Sequence, residues 1–283
     1  MMNTTFKLNT RKMLLGLAFL GFITNVSAQE AADRKVQAGI VAGFGLNFQK
    51  METKKLVKSG VGADFTVGTN VNYSFNETIG LTIGIEFDFG TLKYNPGPNP
   101  VYYYYNDNTI LTNEQANTDP NSQLFQLTSR KQKTTYLTIP TMALFRTNFI
   151  GYFRYFGKFG LRSSFLLSNK IFDEGYNFPL DINPIIESGS ATASTNDNMS
   201  QTKNDMIFFK SSVGLSGGAE WNFVGSTCLV AEIGYYYGFI SLYKNKDSKD
   251  RSLFTTDISG SNNNFFNNAA QQSQLRFKLS ILF

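Results

Sequence analysis

The chain has no histidine, one cysteine and one tryptophan among its 283 residues. Without histidine, the commonest metal ligand and the usual general base near neutral pH are both missing. Cys228 alone cannot close an internal disulfide, and neither a cofactor nor a metal is expected. Charged residues amount to only 17%, against about a quarter in ordinary soluble domains. Beyond the first 28 residues no apolar run reaches the roughly 18 residues that a membrane-spanning helix needs. What is abundant is aromatic: 15% of the chain.

The N-terminus reads as a targeting segment. Lys7, Arg11 and Lys12 precede the apolar run from Met13 to Ile23 and a cleavage-like Val26-Ser27-Ala28, the three-part pattern of a secretory signal peptide. Residues 1–28 are therefore expected to be removed, leaving 29–283 as one domain. Their loss lowers the basic residues from 26 to 23 against 21 acidic ones, so the formal charge falls from +5 to +2. The basic balance belongs mainly to the signal, and nucleic-acid binding gains no support.

The mature chain alternates. Eight segments carry apolar residues at every second position, the period of a strand with two unlike faces. The clearest sets Ile79, Leu81, Ile83, Ile85, Phe87 and Phe89 against Gly80, Thr82, Gly84, Glu86, Asp88 and Gly90. The last sets Leu275, Phe277, Leu279, Ile281 and Phe283 against Arg276, Lys278 and Ser280. The fourth, around residues 134–147, is the weakest, because Met142 and Leu144 are apolar on the polar face and Pro140 argues for a local loss of pairing. Short links (Phe75–Thr78, Arg146–Phe149, Val224–Ser226) alternate with long ones rich in Asn, Ser and Thr.

These features predict an all-β, eight-stranded, antiparallel up-and-down transmembrane β-barrel with long extracellular loops and short periplasmic turns. A soluble barrel would invert the faces, with water outside. The polar rows decide against it: they hold Gly, Ser, Thr and Asn with few Lys and Glu, a composition suited to a crowded interior. Aromatics gather at both ends of the strands as girdles would, with Tyr73, Phe153 and Trp221 near the short turns. Phe48, Tyr94, Tyr136, Phe165 and Tyr243 lie toward the long links. Both termini fall on the short-turn side, the periplasm.

The signal-like start, the alternating strands, the "YLTIP" stretch from Tyr136 to Pro140 and the terminal "LRFKLSILF" resemble the PorT-like outer-membrane β-barrel proteins of Bacteroidota. The resemblance implies an outer-membrane location and delivery by the barrel-assembly machinery, with Leu275, Phe277, Leu279, Ile281 and Phe283 as the row that this machinery reads. It brings no shared enzymatic activity.

Interior charges are the candidate functional residues. Parity points Asp64, Glu86, Asp88, Glu220 and Glu232 inward with Arg146, Arg154, Lys158, Arg162, Lys210, Arg276 and Lys278. Eight strands leave an interior about wide enough for side chains alone, so a network of ion pairs plugging the lumen is expected. A narrow anion pathway is the alternative, and catalysis is not expected. Outside the barrel, the Lys54–Lys58 segment is basic enough to meet lipopolysaccharide phosphates. Tyr102, Tyr103, Tyr104 and Tyr105 in the largest link are candidates for contact with an unidentified surface or secretion partner, or for a sheet extending the wall.

Overall fold

The computed structural model describes residues 35–107, 109–178, 192–197, 206–224, 227–244, 252–256, 265–266 and 268–283. The signal-like segment and parts of the long links lie outside them.

The strands are β1 (Val36–Met51), β2 (Leu56–Lys58), β3 (Gly62–Ser74), β4 (Ile79–Pro96), β5 (Val101–Asn106), β6 (Thr109–Ile110), β7 (Gln123–Arg146), β8 (Phe153–Phe178), β9 (Thr192–Asp197), β10 (Phe209–Val224), β11 (Thr227–Gly238), β12 (Phe254–Thr255), β13 (Phe265–Phe266) and β14 (Ala270–Leu282). A short helix, α1 (Asn113–Thr118), lies between β6 and β7. Eight strands close a ring in the order β1-β3-β4-β7-β8-β10-β11-β14, every pairing antiparallel. The seam joins β1 to β14 from Gly39↔Leu282 to Met51↔Ala270, which removes the open edge that a sheet in lipid cannot keep.

Alternation sorts the side chains as expected. Ile40, Phe44, Phe65, Ile83, Phe87, Phe159, Ile233, Phe277 and Leu279 form an exposed apolar belt. On the same strands Gln37, Asn72, Thr82, Glu86 and Arg162 are buried inside. At Pro140 the β4–β7 ladder is interrupted: it passes from Ile83↔Thr141 directly to Glu86↔Thr138, because proline has no N–H to donate. The β3–β4 turn is held by Asn76, whose Oδ1 accepts from the Ile79 amide (2.6 Å) and the Thr78 amide (3.0 Å). The β7–β8 turn uses Gly151 at φ +64°, a left-handed position that favours glycine.

The other end departs from the expected long loops. β7 has 24 residues and β8 has 26, and at about 3.3 Å per residue the latter is roughly 85 Å long. A tilted membrane strand needs only about 9–11 residues. Much of what composition suggests is loop is thus a continuation of the wall. Above the β4–β7 pairing, β5 takes the place of β4 beside β7, and β12 and β13 extend the sheet further.

Within this extension lies a hydrophobic core that includes Leu92, Tyr94, Tyr103, Phe125, Ile171, Tyr243 and Phe254. Tyr94, Tyr136 and Tyr243 therefore turn inward rather than joining a girdle. For the first two, parity is the reason: Tyr94 follows the phase of Glu86 and Asp88, and Tyr136 that of Thr138.

Candidate functional site: the charged lumen and its two closures

Every predicted inward acid meets a base. Glu220 sits between Arg146 (3.2 Å) and Arg154, whose Nε donates to it. Glu232 takes Lys158 at 2.6 Å. Glu86 is shared by Lys278 (2.6 Å) and Arg162 (2.9 Å), and Arg162 also reaches Asp88 at 2.8 Å. Arg276 bridges Asp88 (3.0 Å) and Asp64 (2.8 Å). The result is one connected cluster, Lys278-Glu86-Arg162-Asp88-Arg276-Asp64, with two smaller groups toward the short turns.

Hydroxyls and amides add to it. Thr66 and Thr138 both donate to Asp88, at 2.6 and 2.7 Å, and Gln274 donates to Asp64 at 2.8 Å. Such satisfaction matters because an uncompensated ion in a low-dielectric interior costs several kcal/mol. Lys210 is the exception, since no carboxylate among the described residues lies within ion-pair distance of it. Its ammonium donates to Gln272 Oε1 (2.8 Å) and sits 3.8 Å from the centre of the Tyr136 ring.

Glycine on β1 makes room for this crowd. A Cβ added to Gly45 would lie 2.1 Å from Asp64 Oδ1, and one added to Gly43 would lie 3.0 Å from Lys278 Cγ. The inward glycines facing Asp64 and Lys278 therefore let larger partners cross the barrel.

Both ends of the lumen carry apolar side chains. Toward the short turns Leu144, Phe156, Cys228, Val230 and Leu282 pack together; the inward Leu144 that weakened the fourth strand as a pattern belongs to this layer. At the far end is the aromatic core, which encloses one more ion pair. Arg130 donates to Asp173 through Nε (2.6 Å) and Nη2 (2.5 Å), with the Phe254 ring 4.9 Å from its guanidinium carbon. This pair was hidden from parity by a bulge between Thr135 and Tyr136 opposite Leu166–Ser168. There β8 changes phase: Arg162 and Ser164 face in below it, Asn169, Ile171 and Asp173 above it.

The tyrosines read either as a contact surface or as a sheet extending the wall are strand β5, and alternation divides them. Tyr103 and Tyr105 are buried at 0% and 7% exposure, packed on Phe125 with ring centres 5.1 and 6.3 Å away. The Tyr103 hydroxyl donates to Asp173 Oδ2 at 2.9 Å. Tyr102 and Tyr104 lie half-buried on the other side, near Phe178 and Phe265. Burial raises both of their hydroxyl pKa values above the ordinary range, so they remain neutral donors. In the C-terminal row Phe277, Leu279 and Phe283 are exposed and Leu275 and Ile281 partly so.

The barrel has structural relatives. Ail of Yersinia pestis is 11% identical, covering 88% of this chain and 100% of its own, with a TM-score of 0.33. The Neisserial surface protein A is 10% identical over 88% of this chain and 98% of its own, at 0.34. OprG of Pseudomonas aeruginosa is 8% identical over 90% and 98%, at 0.40. No curated protein matches the chain. The model of the family described as outer membrane protein beta-barrel domain matches residues 27–244, and the chain belongs to that family.

Proposed function

We propose that this is a non-conducting, non-enzymatic outer-membrane barrel that carries a rigid platform to the cell surface. In this reading residues 1–28 are a cleaved signal, the termini and short turns are periplasmic, and the extended ends of β7 and β8 stand outside the cell. The observation that carries it is the filled lumen: the side chains of Arg162, Arg276, Glu86 and Glu220 are each exposed by 3% or less. Apolar layers lie at both ends of the Arg162, Arg276 and Glu86 cluster, while Glu220 with Arg146 and Arg154 lies on the short-turn side of the Leu144 and Phe156 layer. Carboxylates committed to ion pairs also supply no free acid or base for catalysis.

Planar-bilayer recording tests the plug. No unitary steps are expected from the wild-type protein, whereas reproducible steps abolished by Arg154→Glu or Lys158→Glu would replace the plug by a narrow solute channel. Protease treatment of intact cells tests orientation: cleavage is expected only in the long links.

A second reading is an accessory role in protein secretion. It is favoured by the likeness of Tyr136–Pro140 and of the last strand to PorT-like proteins of Bacteroidota. Normal export of secreted cargo in a deletion strain would remove it. In either reading Leu275, Phe277, Leu279, Ile281 and Phe283 present the row by which the barrel-assembly machinery engages the chain. Deleting Phe283 is expected to reduce the assembled, heat-modifiable form.

A further inference from the structure

Four lysines meet on the outer wall where the apolar belt ends. Lys93 of β4 pairs directly with Lys131 of β7, and Lys133 of β7 directly with Lys170 of β8. All four are exposed. Directly opposed side chains have Cβ atoms about 5 Å apart and diagonal neighbours stand about 7–8 Å apart, and like charges so placed repel. None of the four forms an ion pair with a carboxylate among the described residues. Lys133 instead lies over the Phe172 ring at 5.1 Å. The nearest acids by register flank the cluster on one side: Glu174 is opposite Ser129, and Asp197 is opposite Phe172, two positions from Lys170.

Lysines that protect a free sheet edge are a familiar device, but here β7 is paired with β4 on one side and β8 on the other. The repulsion serves no edge. Its position is more informative: Phe89 pairs with Thr135, and the next outward positions along these strands are Thr91 opposite Lys133, then Lys93 opposite Lys131. The cluster thus begins one outward step above the last belt phenylalanine of β4. Leu167 of β8 is exposed just below Lys170.

We infer that Lys93, Lys131, Lys133 and Lys170 form a binding site for a phosphorylated glycolipid, the lipid A portion of lipopolysaccharide. Its phosphates would neutralise the lysines while its acyl chains lie on the apolar wall beneath. Ammonium groups suit phosphate as point charges, and clustered bases at a membrane surface attract anionic lipid. A free phosphate would satisfy the lysines but leave the adjoining wall unused. The site lies on the barrel wall rather than in the Lys54–Lys58 segment, which β2 sets beside Tyr94–Pro96 at the far end of β4, beyond the apolar belt.

The test uses the full mature protein in nanodiscs of neutral phospholipid doped with bisphosphorylated or dephosphorylated lipid A, with retained lipid read by native mass spectrometry. Wild type is expected to retain the phosphorylated form at least tenfold better, with the preference falling as salt rises. Changing all four lysines to serine should abolish it; Lys54→Ser with Lys58→Ser should change it less than twofold. The doublet Lys93→Ser and Lys170→Ser, with Lys131 and Lys133 intact, should give an intermediate loss and covers any failure of the fourfold variant to fold.

Equal retention of both lipids, or an undiminished preference in the folded fourfold variant or the folded doublet, overturns the inference. So does displacement by equimolar inorganic phosphate, which would mark a site for a free anion. The inference rests on the outward orientation proposed above only for which leaflet supplies the lipid. Nanodisc binding does not depend on orientation, so a failed site and a reversed barrel give different results.

Discussion

The same strands follow opposite rules in two regions of this molecule. In the belt, β4 points Glu86 and Asp88 inward and Phe87 and Phe89 outward; a few residues on, it points Leu92 and Tyr94 inward and Lys93 outward. β7 makes the same change, from Thr138 inside and Leu137 outside to Phe125 inside and Lys131 outside. The difference follows from the solvent outside each stretch of wall. Lipid accepts apolar side chains and leaves the charges to one another, whereas water reverses the preference and permits a hydrophobic core. The level of the lysine cluster is where one rule hands over to the other.

Breaking an interior ion pair in each region should separate them most sharply. Arg276→Met deprives Asp64 and Asp88 of their shared base and is expected to cost about 3–5 kcal/mol, measured by urea unfolding from lipid vesicles. Arg130→Met removes the guanidinium from Asp173, which keeps the Tyr103 hydroxyl, with a cost in the same range, roughly 3–5 kcal/mol. Here the loss should appear as protease sensitivity of the extension while the barrel keeps its heat-modifiable mobility. Loss of the barrel in both variants would mean that the two regions unfold as one unit.

The outer faces offer a smaller contrast. Ile83→Arg, in the belt, is expected to cost on the order of 2–4 kcal/mol. Tyr176→Arg, exposed on the upper part of β8, should stay within about 0.5 kcal/mol. Equal costs would place the boundary elsewhere. The smallest effect is expected for Thr82→Ser, which preserves the hydroxyl that donates to Asn72 at 2.7 Å and should leave the unfolding midpoint nearly unchanged.

Parity alone made the belt legible. Eight alternating rows, the break at Pro140 and the inward charges could be read because one rule holds through each of those stretches. Which acid meets which base was not legible. Arg276 faces Asp64 and Asp88 rather than Glu86 or Glu232 because registers across several strands set those encounters. The extension was hidden for two physical reasons. Its code is inverted, so inward Leu92 and Tyr94 do not continue a polar row, and bulges shift the phase of β7 between Leu127 and Ser129, which turns Phe125 inward, and of β8 at Leu166–Ser168. Tyr94 was nevertheless available to parity, being an even number of residues from Asp88.

The seam between β1 and β14 bears on how the protein comes to exist. Gly39 pairs with Leu282 and Phe44 with Phe277, contacts between nearly opposite ends of the sequence. Such distant pairing makes closure slow, since chain entropy is lost before these contacts form. Without β14 the ring stays open, so assembly has to wait for Ala270–Leu282 to reach β1. Until then β1 presents an unpaired edge that carries Ile40, Phe44, Leu46 and Phe48, the kind of surface that aggregates when left alone. The time between synthesis and closure is therefore the vulnerable period in this protein's life, and a helper that shields β1 during it would matter more than one that accelerates any single turn.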